Sequence, residues 1–99
     1  MAQDQVPQAR VDVFDAACLE GKKVFLVRDA QYDGATVATG VQGAVVEVVG
    51  ISARLRKMVL KAPDRGESQA EEILKILVDL HNYANIAMME LSDGNWVGK

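Results

Sequence analysis

The residues able to do chemistry in this 99-residue chain are few: one histidine (His81), one cysteine (Cys18), a carboxylate pair at Asp29 and Asp33, and a run of cations at 54–65. A half-buried imidazole near neutral pKa is a potential general base or pH switch, provided a polar group orients it. Within its own helix His81 has only Asn82 and Asn85 beside it, and neither activates an imidazole well. Cys18 would need a base brought from far along the chain. In Ala16-Ala17-Cys18-Leu19 it reads as packing, since a buried free thiol behaves as a small hydrophobe.

Asp29-Ala-Gln-Tyr-Asp-Gly34 opens like a calcium loop, which needs a bidentate carboxylate at its twelfth position. That position is Gly40, so a turn is the simpler reading, leaving at most a weak divalent-ion contact through Asp29 and Asp33. The sequence holds no phosphate loop, dinucleotide fingerprint, nucleophile elbow or metal-spaced His/Cys set. No catalytic residue, cofactor or metal site is assigned.

The cations are the stronger candidates. Arg54, Arg56, Lys57, Lys61 and Arg65 face only Asp64 in a chain of net charge -3. On a strand Arg54 and Arg56 share a face; on a helix Arg54, Lys57 and Lys61 do. Such a patch could contact phosphates or an acidic protein surface, or it could be a solvated face that discourages strand pairing. It lacks the interleaved aromatics that stack on single-stranded bases. A second candidate is the soft apolar group Met88, Met89, Leu91 and Trp96. If Met88 points inward, Met89 and Trp96 face outward and want a partner.

These residues need a frame. The length and the 49% apolar fraction predict one globular domain over 11–99, behind a polar, flexible lead-in at 1–10. The firmest element is a helix at 68–84. Ser68 and Glu71 form an S-x-x-E capping box, and Ala70, Ile73, Leu74, Ile76, Leu77, Leu80 and Ala84 share one face. A short helix at 11–20 ends before Gly21. Lys23–Arg28 reads as a buried strand, Asp29–Gly34 as a loop, Thr36–Thr39 as the start of a second strand, and Gly40 and Gly43 as a bend or bulge.

Ala44–Val49 is apolar on both faces and reads as a core strand. Residues 51–62 fit a helix or a strand; Arg54–Lys61 pairing back on Ala44–Val49 is favoured, because Met-Val-Leu suits a strand core. Ile86–Leu91 is a further strand, and Ser92-Asp-Gly-Asn95 a hairpin turn placing Trp96 opposite Leu91.

The predicted fold is therefore α+β: a small antiparallel or mixed sheet of four to five strands packed on the helix at 68–84. With chemistry scarce and apolar surface in excess, the expected function is a non-enzymatic interaction module, an accessory or regulatory protein acting by protein contact. It is expected to pair with a protein partner or as a homodimer, using Arg54, Arg56, Lys57, Lys61, Met89 and Trp96. Nucleic-acid binding through the basic stretch is the alternative, and a small enzyme or enzyme subunit the third. The single cysteine, and the absence of a signal-peptide pattern or a long apolar run, predict a cytoplasmic protein with no membrane contact.

Overall fold

The computed structural model describes residues 5–99, with the backbone alone described at 29–36. Every regular element among the described residues is helical. Helix α1 runs over Gln8–Leu60, a short 3-10 turn over Glu67–Gln69, and helix α2 over Ala70–Ser92. A straight helix of the length of α1 would span about 80 Å, yet the largest extent of the molecule is 41 Å. Two breaks account for the difference. Arg28 (φ -106°, ψ 15°) bends the helix, and Gly40 (φ 67°, ψ -156°) interrupts it outright. Helix α1 therefore has three limbs: 8–27, 29–39 and 41–60.

Limb 41–60 and α2 form a helical hairpin closed by Pro63–Gly66; a side-chain carbon on Gly66 would sit 2.8 Å from Ile73 Cδ1. Limb 8–27 packs along another side of α2. Gly21 lies beneath His81 and Asn82, and the Arg28 guanidinium reaches Asp79 at 3.3 Å. The buried apolar side chains among the described residues are only Ala44, Ile51, Ile76 and Ile86.

The α+β prediction is thus overturned. None of the predicted strands at 23–28, 36–39, 44–49, 54–61 or 86–91 exists; each lies in α1 or α2, apart from Lys61, which follows the end of α1. The reason is clearest at 41–58. Val41, Ala44, Val48, Ile51, Leu55 and Met58 recur at intervals of three and four, and these are the positions that the limb turns inward, while Val45, Val46 and Val49 stay exposed. The β-branched run in the middle masks that period, and packing against α2 outweighs the modest helix penalty of valine. The predicted loop at 29–34 has helical backbone, and a cation contact through Asp29 and Asp33 lies outside the described side chains.

The helix predicted at 68–84 coincides with α2 but stops eight residues short of its end. The predicted hairpin turn is the end of α2 instead. Asn95 N–H donates to Glu90 O (2.9 Å) and Gly94 N–H to Leu91 O (3.1 Å), with Gly94 at φ 70°, which is the Schellman arrangement. Asp-Gly supplies a positive φ in either structure, so the dipeptide alone cannot distinguish them.

The capping box is absent as well. The residue preceding α2 is Gln69, which makes no side-chain cap, and the backbone N–H groups of Gly66 and Ser68 both donate to Asp64, each at 3.0 Å. Hydrogen bonding from the Ser68 hydroxyl first, then from the Ser68 and Gly66 amides, holds the Asp64 carboxyl below its ordinary 3.8. A carboxyl lowered by folding stabilises the fold above its unfolded value and loses that contribution as pH falls through the folded one. Denaturation midpoints should therefore decline as pH falls below about 4, and Asp64→Asn should remove that part of the decline; identical pH profiles would refute the assignment.

Candidate functional site

An open groove of about 1130 Å³ lies between limb 8–27 and α2. Phe14, Cys18, Gly21 and Phe25 form one wall, at successive intervals of four, three and four on a helical face. Leu74, Leu77, His81, Met88 and Met89 contribute from α2. The large apolar members stay open to solvent: Phe14 is 68% exposed, Leu74 61% and Met88 66%. Glu20, Lys22 and Asp93 give the groove charges of both signs.

Gly21 sets the closeness of its two walls. A β-carbon there would run into the His81 imidazole and sit 3.1 Å from Asn82 Oδ1. His81 is held where it crosses Gly21: Nδ1 lies 3.1 Å from Asn82 Oδ1, and Nε2 lies 3.3 Å from Asn85 Nδ2. Both ring nitrogens are therefore engaged by neutral amides, which orient the ring and supply no charge to drive proton transfer. Asn82 is buried and its Nδ2 has no hydrogen-bond partner, a cost of about 1–3 kcal/mol. Cys18 lines the same groove, half-buried. Among the described residues no group of three or more His, Cys, Asp or Glu side chains is arranged to hold a metal ion.

The structure separates the two apolar residues singled out from sequence. Met89 is 52% exposed and lines the groove. Trp96, 54% exposed, lies on the C-terminal tail, where its carbonyl accepts the Gln42 N–H at 3.0 Å. Arg54, Arg56, Lys57 and Lys61 do come together, around a shallow depression of about 430 Å³ near the end of limb 41–60. All four are exposed, and none forms a salt bridge among the described residues. Cations in a last helical turn also complement the helix dipole.

Sequence reasoning missed Phe14, Cys18, Gly21, Phe25, Leu74, Leu77 and His81 as a group. The helical spacing of 14, 18, 21 and 25 was the available signal, and reading 23–28 as a strand cut it at Gly21. The chain matches no family model, no curated protein and no solved structure. No helix among the described residues is long and apolar enough to cross a membrane.

Proposed function

We propose that this chain is a non-enzymatic interaction module that works by protein contact through the groove between limb 8–27 and α2. The observation carrying this reading is the apolar surface left open there: Phe14, Leu74, Leu77, Met88 and Met89 are all exposed in a groove with few polar groups. Contiguous exposed apolar patches mark interaction sites. Methionine and aromatic side chains suit an adaptable contact, since they bury large area with little loss of freedom. The basic cluster at Arg54, Arg56, Lys57 and Lys61 lies apart from the groove and could steer an acidic partner or contact phosphates.

The test is photo-crosslinking in the native cell, with p-benzoylphenylalanine in place of Met89 and, as control, of Glu67. Adducts to a polypeptide, whether another protein or a second copy, are expected at position 89 and not at 67. Absence of a specific polypeptide adduct at 89, combined with recovery of nucleic acid that is lost at high salt, would overturn the reading in favour of the basic cluster. Absence of both would overturn it outright.

A further inference from the structure

We propose that the depression near the end of limb 41–60 binds a compact polyphosphate anion, a short chain of linked phosphoryl groups held by Arg54, Arg56, Lys57 and Lys61 and recognised through its phosphates alone. This site is independent of the groove. Its lining consists of those four cations and Ala53, with no carboxylate and no aromatic ring. At the helical step Arg54, Lys57 and Lys61 fall within a sector of about 60°. Arg56 flanks them across Ala53, whose short side chain leaves room between them. The volume, about 430 Å³, is in the range that holds small ligands.

These cations are uncompensated. Lys23, Arg28 and Lys75 each lie within 3.6 Å of a carboxylate oxygen, and among the described residues none of the four does. Asp64, the next acidic residue along the chain, is taken by the Gly66 and Ser68 amides, each at 3.0 Å. The negative end of a helix dipole amounts to about half a charge, which four cations far exceed. Lys57 and Lys61 stand four apart and Arg54 and Lys57 three apart, spacings at which like charges destabilise a helix. A bound anion relieves that repulsion. The arginines offer planar forks that match phosphate oxygens, and the lysines mobile point charges.

Charge also decides the size of the ligand. The four residues contribute +4 to a net charge of -3, which leaves -7 on the rest of the chain. A nucleic-acid duplex laid along the 41 Å of the molecule would bring roughly two dozen phosphates against that negative remainder. The cluster from Arg54 to Lys61 is only about 10 Å long. A short polyphosphate concentrates its charge within that length and meets cations alone.

The test is a titration of the full chain with sodium tripolyphosphate in low-salt buffer, followed by amide NMR. Saturable shifts confined to the neighbourhood of residues 53–61 are expected, weakening as salt is added. Arg54→Gln combined with Lys57→Gln should lower the affinity by about tenfold or more. Lys23→Gln combined with Lys75→Gln removes the same charge from exposed ion pairs elsewhere and should change it by less than about twofold. Equal weakening by the two pairs, or no saturable shift in the wild type, would overturn the proposal. ATP should bind within about threefold of tripolyphosphate, because nothing in the depression stacks on a base. A strong preference for ATP would overturn recognition through phosphates alone. Tighter binding of duplex DNA or of oligoglutamate, at matched concentration of charge, would overturn the compact anion in favour of nucleic acid or an acidic polypeptide.

Discussion

Replacing Gly40 by alanine should cost this protein a large part of its stability. Gly40 sits at φ 67° and ψ -156°, a region essentially closed to residues with a β-carbon and worth of order 1–3 kcal/mol of strain. A β-carbon there would also meet the tail backbone: Gly98 N and Trp96 C at 2.8 Å, and the Asn95 carbonyl closer still. That tail caps the break. Val41 N–H donates to Asn95 O (2.9 Å), Gln42 N–H to Trp96 O (3.0 Å), and Lys99 N–H to Val37 O (3.1 Å).

The first two bonds satisfy donors at the start of limb 41–60, and the third satisfies an acceptor at the end of limb 29–39. Each such group left unpaired when buried costs about 1–3 kcal/mol. Together these exceed roughly 3 kcal/mol against a total of about 5–15. At roughly 4–8 °C per kcal/mol, the melting temperature followed by far-ultraviolet circular dichroism should fall by more than about 12 °C. Gly50→Ala is the matched control, because nothing lies within 4 Å of its added carbon; in a helix interior it should stabilise by about 0.5–1 kcal/mol. Both variants must be melted under one set of conditions and at one protein concentration. A Gly40→Ala protein melting with the wild type would disprove this account of the break.

The second large effect is expected at Asn95, which is buried where α2, the tail and the end of limb 29–39 meet. Its Nδ2 donates to Glu90 Oε2 at 2.7 Å and to Val37 O at 3.0 Å, and its Oδ1 accepts the Gly98 N–H at 3.0 Å. Asn95→Ala removes all three and strands the buried Glu90 carboxylate without this donor. The expected loss is about 2–4 kcal/mol, read as a lower urea midpoint with an unchanged slope. Hydrogen exchange at Val41 and Gln42 should accelerate, because their acceptors lie on the released tail. Glu90→Gln keeps an acceptor oxygen for Asn95 and should cost less than about 1 kcal/mol. A loss for Glu90→Gln as large as that for Asn95→Ala would show that the carboxylate charge, and not an acceptor oxygen alone, holds Asn95.

Some of this was legible in the residues. The apolar face around Ile73 and Ile76 announced α2. The cations at 54, 57 and 61 share a helical face, as one of the two readings of 51–62 had it. Other signals were present but outcompeted. The three-four spacing from Val41 to Met58 crosses a run of valines that, taken by itself, looks like a strand, and the glycines at 21, 40 and 43 look like strand punctuation. Only one of the three, Gly40, breaks a helix; Gly21 lies within one, at the point where α2 crosses.

What the sequence by itself determined was local: an amphipathic α2, a positive-φ turn at Asp93-Gly94, a stop at Pro63, and one domain's worth of apolar residues with little reactive chemistry. Whether a valine-rich stretch became helix or strand was decided by tertiary packing, because the intrinsic preferences differ by only a few tenths of a kcal/mol per residue and burial against α2 is worth several times that. The groove was decided there too. Phe14 and Met89 lie on helices far apart in the chain, and only the bends at Arg28 and Gly40, with the tail hydrogen-bonded across the second, fold the chain compactly enough to bring those helices together.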